Sequence, residues 1–83
     1  PTTFLQRQLN RIITAGLQAM KESDPQSLFL NPVTDEIAPG YSKIIKKPMS
    51  ISNMENKIEH NTYTSIEDWS ADVKLMFKNC VDY

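Results

Sequence analysis

The stretch from Ser23 to Ser50, SDPQSLFLNPVTDEIAPGYSKIIKKPMS, determines how this chain is organised. It holds four of the five prolines and one of the two glycines, and it keeps neither a helical nor a strand period. Loops of this length inside compact domains are uncommon, and they are usually functional or disordered. This one is too apolar for disorder, because many of its side chains need burial, namely Phe29, Leu30, Val33, Ile37, Tyr41, Ile44 and Ile45. The sequence therefore predicts a structured loop that builds a pocket.

A helical pattern precedes this loop over about residues 3–22, with Thr2 or Thr3 as its cap. Its apolar residues recur at spacings of three and four, which defines one helical face, and they are Leu5, Leu9, Ile12, Ile13, Leu17 and Met20. Pro25 disfavours helical geometry in the residue before it, so this helix is predicted to end near Glu22.

A second helix is predicted after the loop, over about residues 51–60. Pro48 ends a last helical turn in the loop, the basic stretch 41–47, and Ser50 then offers an N-cap. A capping box formed by Ser52 and Glu55 is the alternative start, one turn further on.

A third helix is predicted over about residues 65–83, starting at Ser65 or at Thr64 with Glu67. Its apolar face matches the helical template and consists of Ile66, Trp69, Val73, Met76, Phe77 and Cys80. The short link between the second and third helices predicts antiparallel neighbours in a helical bundle.

The composition restricts the classes of protein to consider. A chain of 83 residues forms one domain, and 40% hydrophobic with 23% charged residues is typical of a soluble globular protein. A formal net charge of -1 gives no strong attraction to nucleic acid or to a membrane. The apolar runs are too short to span a bilayer. A lone cysteine, Cys80, excludes an internal disulfide and fits a reducing compartment, the cytosol or the nucleus.

Catalytic and metal-binding residues are sparse. His60 lies at a predicted helix end, where the helix dipole favours a cation, and no orienting partner for a general base is evident. Cys80 is predicted to be a buried structural thiol, because nothing nearby in sequence would lower its pKa. The acidic pairs 35–36 and 67–68 are isolated, so they favour solvated surface over metal ligation. We expect no enzyme activity, no metal and no cofactor.

Lys43, Lys46 and Lys47 form a short basic cluster that could contact phosphates. The near-neutral total charge favours a solvated face instead, and no specific nucleic-acid partner is expected.

Recognition of a small, uncharged group fits the loop better. A mostly apolar concavity with one or two placed polar groups is typical of a ligand site. The loop offers a bulky shelf, a stiffening proline, further apolar walls and an aromatic residue with a polar tip, namely Leu28, Phe29, Pro32, Val33, Ile37, Ala38 and Tyr41. The alternative is that some of these side chains, Phe29 among them, simply fill the core.

These residues also carry a family resemblance. The motifs Phe29-x-x-Pro32-Val33 and Pro39-Gly40-Tyr41-Ser42-x-Ile44-Ile45-Lys46-x-Pro48-Met49 resemble the loop that joins the first two helices of a bromodomain. Similar to its second and third helices are Ser50-Ile51-x-x-Met54, Tyr63-x-Ser65, Trp69, Asp72 and Asn79-Cys80-Val81-Asp82-Tyr83. The resemblance spans essentially the whole chain. It is closest to bromodomains in subunits of chromatin-remodelling and histone-acetyltransferase complexes.

The resemblance implies an all-α fold, a left-handed four-helix bundle that binds acetylated lysine. Residues 1–83 would supply a single partial bromodomain, with the first three helices and the long first loop. The fourth helix would be missing, and the asparagine that donates directly to the acetyl group in bromodomains would follow Tyr83. On this basis the chain is expected to be a fragment.

The resemblance also implies roles for individual residues. Leu28 and Phe29 would form the shelf, where many relatives have Trp-Pro-Phe. Val33 and Ile37 would flank the acetyl-lysine stem, and Tyr41 would hold an ordered water against the acetyl carbonyl. Ala38 and Tyr83 complete the predicted acetyl-lysine site.

The predicted function is non-catalytic reading of acetylated lysine, on histone tails or other chromatin proteins. Its partners would be acetylated histone peptides and other subunits of a chromatin complex, in the nucleus and away from membranes. The alternative is a structural helical interaction module that does not bind acetyl-lysine.

Overall fold

The computed structural model describes residues 3–83, and all regular secondary structure in that range is helical. The helices are α1 (Phe4–Glu22), α2 (Tyr41–Ile44), α3 (Ile51–Glu59) and α4 (Ile66–Asp82). The all-α prediction is confirmed. The helical turn predicted for residues 41–47 is shorter than expected, because the backbone is already extended at Ile45, with φ -98° and ψ 107°.

Each of the three long helices begins after a side-chain hydroxyl that accepts a backbone hydrogen bond. The caps are Thr3, Ser50 and Ser65, whose oxygens lie 3.1, 3.3 and 3.2 Å from the backbone nitrogens of Gln6, Asn53 and Asp68, respectively. Ser50 and Ser65 are thus confirmed as the starts of α3 and α4. Thr2, the other predicted cap of α1, lies outside the described residues.

The long helices pack side by side, with α3 antiparallel to α1 and to α4. The end of α1 lies beside the middle of α3, where Lys21 pairs with Glu55 at 2.5 Å, and the start of α1 is bonded to the turn that follows α3. Lys57, towards the end of α3, pairs with Asp72 in the first half of α4 at 2.7 Å. The late part of α4 is in turn bonded to the segment that precedes α3, so the predicted antiparallel arrangement of the second and third long helices is confirmed.

The core forms where the three long helices meet. Six side chains there are at most 3% exposed, and they are Ile13, Leu17, Ile51, Met54, Tyr63 and Met76. The predicted apolar faces are only partly covered, since Leu5, Ile12 and Phe77 remain largely exposed. The prediction that Cys80 is buried is wrong, because this last part of α4 borders a cavity instead of the core.

A polar cluster closes the bundle at the turn between α3 and α4. The hydroxyl of Tyr63, a residue only 2% exposed, donates to Oδ2 of Asp72 at 2.6 Å. The Nζ of Lys57 lies 2.7 Å from the same oxygen. Burial, and next the hydrogen bond to Asp72, raise the pKa of Tyr63 far above its usual 10. The phenol therefore stays neutral and acts as a donor.

Two further properties concern the described part of the chain. No helix within residues 3–83 is long and apolar enough to cross a membrane. Over the same residues, no group of His, Cys, Asp and Glu side chains is arranged to hold a metal ion.

Candidate ligand-binding site

The first half of the long loop is fixed to the start of α3. The backbone carbonyls of Phe29 and Leu30 accept hydrogen bonds from the amides of Ile51 and Ser52, at 2.8 and 2.9 Å. The amide of Phe29 in turn donates to Oδ2 of Asp24 at 2.9 Å. These bonds place the Leu28–Phe29 shelf directly over the end of the bundle.

The second half of the loop is fixed to α4. The Nδ2 of Asn79, a residue 6% exposed, donates to the carbonyl oxygen of Lys47 at 2.8 Å. The hydroxyl of Tyr83 donates to the carbonyl oxygen of Pro39, also at 2.8 Å. The loop is therefore tied to two helices, and its shape is set before any ligand binds.

A short capped helix orients Tyr41 inside the loop. Gly40 precedes α2 with a φ of +78°, a conformation that a residue with a Cβ rarely adopts. Oδ1 of Asp35 accepts the backbone amide of Ser42 at 2.8 Å, and Oδ2 accepts its hydroxyl at 2.7 Å. Because both bonds favour the ionised carboxylate, they hold the pKa of Asp35 below its usual 3.8.

This cap predicts a specific pH dependence. Since the pKa of Asp35 is lowered on folding, its contribution to stability is present above pH 3.8 and is lost as the pH falls through the folded value. We expect Asp35→Asn to melt at a lower temperature than the parent near neutral pH. The difference should shrink as the pH falls below 3.8. Thermal melts followed by circular dichroism across this range measure both effects.

Glu36→Gln is the matched control, because Glu36 is the exposed neighbouring acid. It removes the same charge without touching Ser42, so it should keep the pH dependence of the parent. If both variants behaved alike, the loss of general surface charge, and not the cap of α2, would explain the effect.

A cavity of about 200 Å³ lies between the loop and the last turns of α4. Most of its wall is apolar or aromatic, and the wall consists of Leu28, Phe29, Asn31, Val33, Tyr41, Met49, Met76, Asn79, Cys80 and Tyr83. No carboxylate lies in this wall. The cavity can therefore accommodate an uncharged, largely apolar group, and it offers no opposite charge to a buried cation.

Two aromatic pairs shape the cavity wall. The rings of Tyr41 and Tyr83 meet edge to face with centroids 5.1 Å apart. Phe29 makes a similar contact with Phe77, at 5.5 Å. Such pairs add stabilisation beyond the burial of their area. They join the loop to the last part of α4 and to the residue that follows it.

The hydroxyl of Tyr41 is an uncommitted polar group in the cavity wall. The residue is 9% exposed, and within residues 3–83 no hydrogen bond to its hydroxyl is formed. The hydroxyl of Tyr83, in contrast, is engaged by Pro39. Burial, and to a lesser extent Cys80, raises the pKa of Tyr41 above 10, so its phenol is a neutral donor.

The structure brings five of the seven residues predicted for the site into one wall: Leu28, Phe29, Val33, Tyr41 and Tyr83. Ile37 is 77% exposed and lies outside the wall. Ala38 is also outside it, and its carbonyl accepts the amide of Tyr41 at 3.0 Å. Contact of Ile37 or Ala38 with a ligand stays a prediction.

Sequence reasoning missed the other half of the wall: Asn31, Met49, Met76, Asn79 and Cys80. Helical periodicity predicts Met76 and Cys80 as core residues. Asn79 belongs to the bromodomain-like motif at the end of α4, and a polar residue directly before Cys80 on a partly apolar helix is a usable signal of its role.

A helical module with a pre-shaped apolar cavity under a long loop belongs to the class of binding modules. The family model for the bromodomain matches residues 9–83. Bromodomain-containing protein 7 of Gallus gallus is 47% identical over 81 residues, which cover 98% of this chain and 12% of that protein. Bromodomain-containing protein 9 of Xenopus tropicalis is 44% identical over 75 residues, which cover 90% of this chain and 13% of that protein.

This chain belongs to the bromodomain family. Bromodomains are non-catalytic reader modules, and the predicted resemblance is confirmed. The chain spans only 12 or 13% of the length of these two relatives.

Proposed function

We propose that this chain binds acetylated lysine on histone tails, or on other chromatin proteins, in the cavity between the loop and α4. The observation that carries the proposal is an apolar wall with one uncommitted, neutral hydroxyl, that of Tyr41. Membership of the bromodomain family supports it. In this proposal Tyr41 donates to the acetyl carbonyl, either directly or through a bridging water.

Acetylated and unmodified lysine differ in the end group that binding would bury in the cavity. Acetylation replaces an ammonium by a neutral amide. Burial of its roughly four methylenes contributes about 3 kcal/mol, and one hydrogen bond to the amide adds about 1 kcal/mol. Unmodified lysine would place an ammonium in a wall with no carboxylate, which costs far more than the methylenes contribute. Selectivity therefore comes mainly from rejection of the charge.

Calorimetric titration of the chain with matched histone-tail peptides, acetylated and unacetylated, tests the proposal. We expect measurable heat with the acetylated peptide alone. Equal binding of the two peptides would contradict the proposal. Absence of binding to both by a folded chain would favour the alternative, a structural module that does not read acetyl-lysine.

Tyr41→Phe is expected to weaken binding of the acetylated peptide by about fivefold, since one hydrogen bond contributes about 1 kcal/mol. The melting temperature should hardly change, because this hydroxyl has no partner within residues 3–83. Calorimetry gives the affinity, and a thermal melt gives the stability.

Tyr83→Phe is the matched comparison, as it removes the same hydroxyl from a phenol that is already bonded. Loss of its bond to Pro39 should lower the free energy of unfolding by about 1 kcal/mol. An unchanged affinity in Tyr41→Phe would show that this hydroxyl does not contact the acetyl group.

A module that binds histone tails acts on chromatin. The proposal therefore includes a nuclear location and association with other subunits of a chromatin complex. The names of the relatives mention only a bromodomain. The nuclear location and the association with a chromatin complex are therefore inferred from the proposed ligand.

A further inference from the structure

The charges of this chain are segregated, although they nearly cancel. Residues 43–47 and 74–82 contain five of the nine basic residues and only one of the ten acids, a formal charge of +4. The remainder of the chain carries -5. The net charge of -1 therefore conceals two basic stretches, and Lys46, Lys47 and Lys78 from these stretches meet in one basic region at the cavity end of the bundle.

The basic region borders a groove between the end of the loop and α4. The groove has a volume of about 330 Å³, and its charged lining comprises Lys46, Lys47, Lys78 and Asp82. We call it the basic groove. Its remaining wall is Asn79 and aliphatic side chains, with no aromatic residue and no arginine.

The lysines of the basic groove are only weakly neutralised, in contrast to two lysines between the helices. Lys21 and Lys57 each pair with a carboxylate on another helix. Lys46 and Lys47 are exposed, and neither forms an ion pair within residues 3–83. Lys78 pairs with Asp82 at 2.5 Å, an exposed contact between residues four apart, which contributes little and leaves the ammonium accessible.

The basic groove adjoins the candidate acetyl-lysine cavity. Asn79 lies in the wall of both, and its bond to the carbonyl of Lys47 fixes the segment that carries Lys46 and Lys47. A ligand in the cavity and an anion in the groove can therefore be bound at the same time on neighbouring surfaces.

We propose that the basic groove binds the phosphate backbone of duplex DNA without reading its sequence. Several ammoniums around one groove suit successive phosphates, and such contacts carry no sequence information. An acidic protein partner fits less well, because protein interfaces are depleted in lysine and enriched in aromatic residues and arginine. This inference is independent of acetyl-lysine binding, since no cavity hydroxyl or shelf residue takes part.

The test is fluorescence anisotropy of the chain with a labelled duplex of mixed sequence, titrated at several salt concentrations. With three phosphate contacts the slope of log K against log salt is about -2.7, so a fourfold rise in salt weakens binding about 40-fold. Lys46→Gln with Lys47→Gln leaves one contact, and the same rise in salt should then weaken binding only about fourfold. Circular dichroism establishes that the variant is folded.

Arg7→Gln with Arg11→Gln is the matched control, because it removes two exposed positive charges from the first half of α1, which does not line the basic groove. It should keep the affinity and salt slope of the parent. Asp82→Asn, which removes the only acid in the groove, should tighten binding about twofold or more.

Three outcomes would overturn the proposal. The first is equal weakening by the lysine pair and the arginine pair, which would indicate a general charge effect. The second is a salt slope that the lysine pair leaves unchanged. The third is binding of an acidic peptide, but not of the duplex, at the same lysines.

Discussion

Replacing Asp72 by alanine is expected to lower the free energy of unfolding by about 3 kcal/mol. Oδ2 of Asp72 receives both the Tyr63 hydroxyl, at 2.6 Å, and the Lys57 ammonium, at 2.7 Å. Removing the carboxylate leaves a buried phenol without an acceptor and a partly buried ammonium without a counter-charge. Each group that has lost its partner stays buried and keeps its desolvation cost. Removing one partner therefore destabilises the fold more than replacing both partners by apolar groups would.

The consequence is large for a chain of this size. Domains have total stabilities of about 5–15 kcal/mol, and short chains lie near the lower end. Loss of Asp72 would also free the turn between α3 and α4, where the carbonyl of Tyr63 accepts Nε2 of Gln6 at 2.8 Å. The cluster therefore supports α1 as well.

Chemical denaturation followed by far-UV circular dichroism measures this effect. Glu67→Ala is the control, since it removes an exposed acid from the same helix and should change stability by only about 0.5 kcal/mol. Asp72→Asn retains one acceptor oxygen and should fall between the two, which keeps the test informative if Asp72→Ala does not fold. Similar losses for Asp72→Ala and Glu67→Ala would contradict the prediction.

The starts and ends of the helices could be predicted because their causes are local. The hydroxyls of Ser50 and Ser65 each accept a hydrogen bond from the backbone nitrogen three residues later, so both partners lie within one short stretch of sequence. The same holds for the end of α1, which Pro25 enforces. Local rules need no knowledge of the fold.

The walls of the cavity could be predicted only in part, because they depend on contacts between distant residues. Asn79 bonds Lys47 across 32 positions, and Tyr83 bonds Pro39 across 44. Helical periodicity identifies which face of α4 is apolar, but it does not show how far along the helix that face is covered. This is why Met76 is buried while Cys80 is exposed.

The same distinction explains Ile37. Its apolar side chain suggested a wall position, yet Ile37 is exposed, in the turn that Asp35 ties to Ser42. Tyr41, four residues later, is instead directed into the cavity. Polar side chains of the loop therefore contribute to the shape of the candidate site alongside its aromatic contacts.

Gly16 of α1 lies directly against the indole ring of Trp69 of α4. A Cβ atom added at Gly16 would lie 2.5 Å from Cη2 of the indole ring. The indole nitrogen is buried and has no hydrogen-bond partner within residues 3–83, so packing alone holds the ring in place. Glycine is thus required here for space, although it is a poor helix former.

Gly16→Val is accordingly expected to lower the free energy of unfolding by about 2 kcal/mol, because overpacking outweighs the gain in helix propensity. Ala15→Val is the matched control on the same turn, where the side chain is exposed and the cost is about 0.5 kcal/mol. Denaturation followed by the fluorescence of Trp69, the only tryptophan, reports on stability and on the displaced ring together. Equal losses in the two variants would show that α1 and α4 can separate at Gly16 without cost. A larger loss in Gly16→Val, with a shifted emission of the folded state, is the result that this contact requires.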